Sequence, residues 1–184
     1  MANYFSDPVF RASLRRSPED DPLAAALRYA AVYARAGLRW ADLPFLRHHW
    51  DGPVVVKGIL SVDDARRAVE AGMDGVVVSN HGGRQLAASV TSLQVLPSIV
   101  DAVGDQLSVL FDSGIRTGGD AVKALALGAD AVLVGRPYVA GLALGGRAGV
   151  EHTLRCLLAD FDLTVGLGGH ASYRDLGRDD LVVV

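Results

Sequence analysis

The chain has 184 residues, a formal net charge of -3 and 21% charged residues, and half of its residues are hydrophobic. This composition is typical of a folded globular protein. It excludes a disordered chain, and it argues against nucleic acid or an anionic membrane as a partner. Cys occurs once, which excludes an internal disulfide framework. No apolar run of about 18 residues predicts a membrane span. The N-terminus lacks a signal-peptide pattern, so a cytoplasmic protein is expected.

The first part of the chain, residues 1–52, is predicted to be a peripheral helical segment. An Ala- and Leu-rich stretch from Leu23 to Ala36 predicts a helix, with Asp21 as its N-cap and Gly37 at its end. A shorter helix is predicted over Trp40 to His49.

Residues 53–184 alternate between short apolar runs and helical patterns. Four runs predict strands, namely Val54–Val56, Gly75–Ser79, Ser108–Asp112 and Ala131–Gly135. Helices are predicted between them over Ser61–Ala71 and Thr117–Leu127. Strands that are apolar throughout and alternate with helices are typical of a parallel sheet that is buried on both faces. The fold class is therefore predicted to be α/β.

This region also contains an internal repeat with a constant offset between its two copies. Lys57-Gly58-Ile59 aligns with Ser113-Gly114-Ile115, and Gly72-Met73-Asp74 aligns with Gly128-Ala129-Asp130. Such repeats occur in (β/α) barrels and in doubly wound sheets. Polar residues follow all four strands, which favours a barrel. A complete (β/α)8 TIM barrel has about 250 residues, so we expect an incomplete barrel of about four βα units.

The candidate catalytic residues lie at the ends of the predicted strands. Lys57 follows the first strand, where a charge avoids burial only at the rim of the sheet. His81 and Arg84 follow the second strand; His exchanges protons near neutral pH, and Arg binds carboxylates through two parallel hydrogen bonds. Asp112 ends the third strand, where it is placed to pair with a histidine and orient it.

Two glycine-rich turns predict anion-binding corners. The first follows Asp112 and contains Gly114 and Arg116 before a helix begins, and the second is Gly135-Arg136-Pro137. Backbone N–H groups at the start of a helix bind phosphate, and a phosphate site after the last two strands recurs in barrels. Each turn alone also fits an ordinary surface loop, but two such turns after successive strands favour a site. No metal site is expected, because His, Cys and carboxylate residues lack ligand spacing.

Four segments of the chain resemble the FMN-dependent α-hydroxy-acid oxidases and dehydrogenases. They are Lys57-Gly58-Ile59, the run SNHGGRQL from Ser79 to Leu86, the run DSGIR from Asp112 to Arg116, and Gly135-Arg136-Pro137. The resemblance is dense from Trp40 to about Leu167, and the Asn-His-Gly-Gly-Arg-Gln run is highly specific to that family. The runs NYFSDPVF near the N-terminus and DLTVGL near the C-terminus most resemble the lactate 2-monooxygenases of this family.

The resemblance implies oxidation of a small L-2-hydroxy acid similar to lactate. His81 would accept the proton of the substrate, Asp112 would pair with His81, and Arg84 would bind the substrate carboxylate. Lys57 would lie near the flavin ring of FMN, where a cation favours the reduced anionic flavin. The other residues implied to bind FMN are Ser79, Asp112, Ser113, Gly114, Ile115, Arg116, Gly135 and Arg136.

Two features depart from the family pattern. Ala87-Ala88 stand where the family has Asp-Gly, and the first half of the barrel has no counterpart in the chain. Because a four-stranded arc leaves two open edges, we expect weak FMN binding and little activity from the chain alone. The expected partner is a second copy in a homo-oligomer or a complementing half-barrel chain.

Two other interpretations are open at this stage. One is a phosphate-binding barrel that acts on a nucleotide or an isoprenoid; it would share the glycine-rich turns but not the segment from Asn80 to Arg84. The other is a non-catalytic half-barrel, either a truncated product or a subunit. Flavin absorbance of the purified protein would separate these interpretations from an FMN-dependent oxidoreductase.

Overall fold

The computed structural model describes residues 2–33 and 37–182, which fall into two compact units, Met1–Leu43 and Pro44–Val184. The sequence places the change of character between residues 52 and 53. The described α-helices are α1 (Ala2–Ser6), α2 (Pro8–Ala12), α3 (Pro22–Tyr33), α4 (Leu43–His49), α5 (Val62–Glu70), α6 (Ser92–Val103), α7 (Gly118–Ala126) and α8 (Arg136–Leu167). Short 3-10 helices are formed by Trp40–Asp42, His81–Gly83, Tyr173–Asp175 and Arg178–Asp180.

The first unit consists of short helices held together by aromatic contacts. Asp21 Oδ1 accepts a hydrogen bond from Ala24 N at 3.0 Å, which confirms Asp21 as the N-cap of α3. The predicted last residues of that helix, 34–36, lie outside the described residues. The ring of Tyr4 meets those of Phe10 and Tyr29 edge-on, with centroids 5.5 and 4.9 Å apart. Helices α1 and α2 were not predicted, because five residues are too few to show a helical period.

The second unit contains a parallel sheet of four strands in the order β1-β2-β3-β4. The strands are β1 (Val55–Ile59), β2 (Gly75–Val78), β3 (Ser108–Phe111) and β4 (Ala131–Val132). All four residues of β2 are buried, whereas β1 and β4 are partly exposed and each pairs with a single neighbour among the described residues. The predicted α/β arc of four βα units is therefore confirmed. Strand β4 is shorter than predicted, because its ladder with β3 ends at Val132.

The internal repeat has a structural basis at both ends of the strands. Helices α5 and α7 begin at equivalent positions of the repeat, and the side chains of Ser61 and Thr117 cap them by accepting the N–H of the third residue. Asp74 and Asp130, which are also equivalent, accept the backbone N–H groups of Val54 and Val109 respectively, each at 2.7 Å. The repeated residues therefore start each helix and tie the strands together at their amino ends.

The core lies between the sheet and the outer helices. Its largest fully buried apolar side chains are Phe111, Leu96, Ile99, Val76, Val78, Val103 and Val109. Helix α8 is interrupted at Gly145-Gly146, where both glycines have non-helical backbone angles. Helix α6 was not predicted, because Pro97 inside it reads as a helix-breaking signal. None of the described helices is long and apolar enough to cross a membrane.

Candidate active site

A cavity of about 630 Å³ opens at the carboxyl ends of the four strands, a volume in the range of cofactor and substrate sites. Strand β1, through Lys57, and the loops that follow β2, β3 and β4 all contribute to it, as the barrel prediction requires. Lys57 was predicted to follow the first strand but lies within β1. Its polar and glycine lining consists of Lys57, His81, Gly82, Arg84, Gln85, Asp112, Ser113, Gly114, Arg116, Gly135 and Arg136. Every predicted site residue lines this cavity except Ser79, which is fully buried beneath it.

Lys57 and Asp112 form an ion pair at the floor of the cavity. Lys57 Nζ lies 2.7 Å from Asp112 Oδ2 and also donates a hydrogen bond to Ser79 Oγ at 2.8 Å. Partial burial on its own would raise the pKa of Asp112. Hydrogen bonds from Lys57 and Ser79 outweigh that effect and hold the pKa of this carboxyl below its ordinary value of 3.8. The pair therefore carries one fixed positive and one fixed negative charge near neutral pH.

The predicted partnership of Asp112 with His81 differs from the observed contacts. The Asp112 carboxylate is bound by Lys57, Ser79 and Ser113, and among the described residues no hydrogen bond joins it to the His81 ring. The physical reason is the left-handed backbone of His81, whose φ of 55° turns the ring toward Gly58 of β1. A negative charge still lies near the site, but Lys57 neutralises it directly.

Gly58 makes room for the imidazole, and the sequence did not single it out. A Cβ added at Gly58 would lie 2.7 Å from His81 Cε1, so any larger residue would collide with the ring. Gly58 also has a φ of 99° and interrupts the pairing register between β1 and β2. Its place in Lys57-Gly58-Ile59 was the available signal, because a glycine inside a strand marks a bulge or a close approach.

The loops after β2 and β4 are joined by Arg136. Its guanidinium donates a hydrogen bond to the carbonyl oxygen of Gly82 at 2.7 Å. Arg136 therefore holds the loop that carries the imidazole while its charge stays at the cavity. The guanidinium groups of Arg84 and Arg116 make no hydrogen bonds within residues 2–33 and 37–182, so both cations face the cavity without a counter-ion.

The first of the two predicted anion corners is largely closed by the chain's own carboxylates. Asp120 Oδ2 accepts the backbone N–H groups of Arg116 and Thr117, and Asp160 of α8 accepts that of Gly118 at 2.6 Å. The prediction that the start of α7 offers free N–H groups to an anion is therefore wrong. Sequence could not show this, because Asp160 lies 42 residues away from the N–H group that it occupies.

The second predicted corner, at the start of α8, is open. Gly135, the N-cap of α8, has no side chain to cap the helix, so the N–H groups of Arg136 and Tyr138 have no side-chain acceptor in the described chain; Pro137 between them has no N–H. Arg116 and Arg136 stand beside this end of the helix on the same cavity. A helix N-terminus flanked by two guanidinium groups favours a phosphate or another dianion.

An apolar wall completes the cavity, and apart from Ile115 its residues were missed in the sequence. The wall consists of Ile115, Leu133, Val139, Ala140 and Ala143. Three of these residues lie on α8 at positions separated by one and three residues, a spacing that places them on one side of the helix. The cavity thus has a charged end and an apolar side, which suits a ligand with an anionic group and a flat apolar body.

An imidazole, several cations and an uncapped helix end on the carboxyl rim of a half-barrel are typical of barrel enzymes that hold a phosphorylated cofactor. The chain is a member of the FMN-dependent dehydrogenase family, which it matches over residues 1–183. It is 57% identical over 184 residues to an FMN-dependent alpha-hydroxy acid dehydrogenase of Schizosaccharomyces pombe. The predicted family and its FMN cofactor are therefore confirmed.

Other relatives and a solved structure agree with this assignment. A pre-mycofactocin synthase of Mycobacterium tuberculosis is 47% identical over 169 residues, or 92% of this chain, and an L-lactate dehydrogenase of Vibrio cholerae is 50% identical over 145 residues, or 79%. A mandelate oxidase crystal structure matches with a TM-score of 0.74 at 50% identity, over 77% of this chain.

The chain spans less than half of the length of these proteins. It covers 45% of the Schizosaccharomyces pombe dehydrogenase, 42% of the synthase, 38% of the lactate dehydrogenase and 43% of the mandelate oxidase chain. The matched part contains the four strands and the whole cavity described above.

The residues of the cavity fit FMN. The phosphate of FMN is a dianion, and Arg116, Arg136 and the uncapped start of α8 supply two cations and backbone donors for it. The apolar wall suits the isoalloxazine ring, and Lys57 supplies a further cation in the same cavity. Ser79 is the exception among the predicted FMN contacts, because its side chain is fully buried and has no surface for a ligand.

Proposed function

We propose that this chain forms the catalytic half of an FMN-dependent enzyme that oxidises 2-hydroxy acids to 2-oxo acids. The observation that carries the proposal is that one cavity contains an imidazole, an unpaired guanidinium and an anion-binding helix end. The family and the named activities of the relatives support the same reaction class.

His81 and Arg84 act on the substrate in this proposal. Arg84 binds the carboxylate of the 2-hydroxy acid with two parallel hydrogen bonds, which fixes the orientation of C2. The imidazole of His81 accepts the proton of the 2-hydroxyl group as the C2–H bond breaks and the C–O bond becomes a carbonyl. Bound FMN would take up the two electrons and the second hydrogen.

Lys57, Arg116 and Arg136 act on the cofactor. Arg116 and Arg136 bind its phosphate at the start of α8, while Lys57 places a cation beside the ring. Asp112 holds the Lys57 ammonium in place through their 2.7 Å contact. Ser113, Gly114, Ile115 and Gly135 line the path between these groups. Because the Asp112 charge is compensated by Lys57, it does not oppose binding of an anionic cofactor.

We further propose that the substrate is a small 2-hydroxy acid similar to lactate. The resemblance to lactate 2-monooxygenases suggests it, and an L-lactate dehydrogenase is among the relatives. A mandelate oxidase is equally similar in sequence, at 50% identity. The comparison of L-lactate with mandelate as substrates therefore tests this part: a higher kcat/KM for L-lactate supports it, and a higher kcat/KM for mandelate contradicts it.

The proposed site is complete only when β1 and β4 each pair with a further strand. Both are edge strands among the described residues, and Val55 of β1 is 42% exposed. Unpaired parallel edges recruit other strands. We propose that four more βα units close the barrel, either from a second chain or from another part of the same polypeptide. The relatives, which are more than twice as long, support this proposal.

FMN binding and hydroxy-acid oxidation test the proposed function separately. The chain is expressed alone and together with the N-terminal part of the Schizosaccharomyces pombe relative that it does not match. Both preparations are loaded with FMN and examined by gel filtration, flavin fluorescence and dye reduction with 2-hydroxy acids. We expect weak FMN binding alone, and tight binding with turnover for the pair. Retention of another phosphorylated ligand instead of FMN, or no turnover by a flavin-loaded complex, would contradict the proposal.

Variants of the cavity residues test separately the proposed roles toward the substrate and toward the cofactor. We expect H81A to keep FMN and to lose about 10²–10⁴-fold in kcat, because a general base is removed. R116A should instead weaken FMN binding. R178A is the control, because Arg178 pairs with Asp101 on the outer helices and lies outside the cavity. Equal effects of H81A and R178A on kcat would contradict the role of His81.

A further inference from the structure

The loop after β2 carries His81 on an unusual stretch of backbone. His81, Gly82 and Gly83 have φ values of 55°, 63° and 73°, so three successive residues lie in the left-handed region. Glycine adopts this region about as readily as the right-handed one, so the two glycines give the loop little conformational preference of its own. The direction of the imidazole therefore depends on contacts that the loop receives from other elements.

Arg136 makes one of these contacts from the start of α8. Its Nη2 atom donates a hydrogen bond to the carbonyl oxygen of Gly82 at 2.7 Å, across 54 residues of sequence. No other donor reaches this oxygen in the described parts of the chain. The guanidinium also packs against the glycine itself, because a Cβ added at Gly82 would lie 3.2 Å from Nη2. The start of α8 is thus joined directly to the loop that carries the imidazole.

The guanidinium of Arg136 keeps donors in reserve. A guanidinium has five N–H donors, and the bond to Gly82 uses one of them. The others have no acceptor among residues 2–33 and 37–182. Arg136 lines the cavity where Gly135 leaves the start of α8 open and where Arg116 supplies a second cation. Arg136 is therefore able to bind a dianion and the Gly82 carbonyl at the same time.

A dianion at this corner changes the freedom of the Arg136 side chain. Hydrogen bonds between a guanidinium and a phosphate are strong and directional, so they restrict rotation of the side chain. A restricted guanidinium holds the Gly82 carbonyl in one place, and the left-handed form of the loop becomes more populated. Arg116 lines the same corner but makes no hydrogen bond to this loop in the described chain. Both cations attract the dianion, and Arg136 alone of the two is connected to the loop.

We propose that Arg136 couples the phosphate corner to the base: a dianion at the start of α8 orders the loop of His81 through the Arg136–Gly82 hydrogen bond. This coupling rests on the proposed function, in which the corner binds the phosphate of FMN and His81 accepts the substrate proton. The phosphate group then has a second role besides anchoring the cofactor. Because coupling between two sites is reciprocal, a ligand that holds the loop also strengthens phosphate binding.

Inorganic phosphate tests the coupling in the chain without flavin and without turnover. The readouts are the NMR signals of the His81 ring and the exchange of the Gly83 amide, which donates to Asn80 O at 3.0 Å within the loop. We expect saturating phosphate to shift the ring signals and to slow this exchange about tenfold, the low end for a hydrogen bond to a charged group. R116A should need more phosphate and show the same response at saturation. R136A should show no response at saturation.

G82A and G83A are matched variants on the loop side of the bond. Both place an alanine at a left-handed position, but a Cβ at Gly82 meets Arg136 Nη2, whereas at Gly83 it meets nothing within 4 Å. We expect G83A to keep the response to phosphate and G82A to weaken it. This pair keeps the test decisive if R136A fails to fold. Equal responses of G82A and G83A, or a response of R136A as large as that of R116A, would overturn the coupling.

Riboflavin shows whether the coupling reaches the substrate site, because it carries the ring of FMN without the phosphate. The complex with the N-terminal part of the Schizosaccharomyces pombe relative is saturated with either flavin, and pyruvate, the 2-oxo acid of lactate, is titrated. Arg84 follows the same loop, so we expect pyruvate to bind about fivefold tighter with FMN, the low end of coupling between two sites. In R136A the two affinities should be equal. Equal affinities in the unmodified complex would contradict the coupling.

Failure of the coupling and failure of the proposed function give different results. Phosphate that binds to the chain without any response of the His81 ring would contradict the coupling and leave the anion corner intact. Absence of phosphate binding to both the chain and the complex would contradict the proposed function, because the corner at the start of α8 would then not hold a dianion.

Discussion

Gly58 determines how closely the imidazole of His81 approaches strand β1. We predict that G58A displaces the ring, because the added Cβ would lie 2.7 Å from His81 Cε1. A displacement of about 1 Å costs on the order of 10² in turnover where a reacting group is moved. The measurement is the NMR position of the His81 ring in the chain, followed by kcat in an active complex. A ring signal that stays in place would contradict the prediction.

The backbone strain of G58A needs its own control, because Gly58 also has a φ of 99°. Gly72 provides it: its φ is 68°, and a Cβ added there meets nothing within 4 Å. We predict that G72A costs about 1–2 kcal/mol of stability, the usual strain of a left-handed alanine, and leaves the His81 ring unmoved. Thermal unfolding and the same NMR signals measure both effects. If G72A shifts the ring as much as G58A does, the contact argument fails.

The sequence predicts the site residues whose position is determined by the end of a strand. Lys57, His81, Arg84 and Arg136 were expected at one rim, because the carboxyl ends of parallel strands meet there, and the cavity brings them together. The partner of Asp112 was not predictable. Whether a carboxylate reaches an imidazole or an ammonium depends on a few backbone angles, such as the positive φ of His81.

At the level of the elements, the start of α7 shows why a helix N-terminus alone predicts an anion site poorly. Thr117 and Asp120 cap the helix from within, and Asp160 of α8 supplies a further acceptor. The local capping pattern was visible in the sequence. The contribution of Asp160 was not, because it depends on how α8 folds back beyond Gly145-Gly146. The open corner at Gly135 differs in lacking any such acceptor in the described chain.

The contact of α7 with α8 predicts a large difference between two neighbouring glycines. A Cβ at Gly118 would lie 2.5 Å from Phe161 Cα and closer still to Phe161 N, whereas at Gly119 the nearest atom is Thr117 Oγ1 at 3.8 Å. We predict that G118A destabilises the protein by about 1–3 kcal/mol or more, because the backbone of α8 must shift. G119A should be neutral or stabilising by up to about 1 kcal/mol. Urea unfolding measures both; similar values for the two variants would contradict the close packing of the helices.

For the whole molecule, the sequence predicted the order and type of the main elements. The apolar runs, the predicted helices that begin at Ser61 and Thr117 and the internal repeat indicate the four βα units, and the structure confirms them. Composition and local pattern reveal less about helices without a clear period, such as α6 with its internal proline. Neither the composition nor the local sequence pattern predicts how the barrel closes, because closure depends on the strands that pair with β1 and β4.

Acid stability is a property of the whole second unit, because carboxylates at the amino end of the sheet and on helix α6 have lowered pKa values. Hydrogen bonds from Val54 N–H and Arg47 lower the pKa of Asp74, and the guanidinium of Arg178 lowers that of Asp101. A carboxylate with a lowered pKa contributes stability above its unfolded value of about 3.8, and this contribution is lost as pH falls through the folded value. We therefore predict constant stability from these groups above pH 5 and a steep loss below about pH 4.

Asp74 and Asp101 respond differently to salt in this prediction. The Asp101–Arg178 pair is exposed, so salt screens it, whereas the bond from Val54 N–H to Asp74 is a local contact that salt affects little. We predict that D74N reduces the loss of stability below pH 4 at both low and high ionic strength. D101N should do so at low ionic strength only. Urea unfolding at pH 3 and pH 6, in 0.01 M and about 1 M salt, measures the difference. Equal salt dependence of the two variants would show that Asp74 acts through its ion pair with Arg47 instead of through the strand.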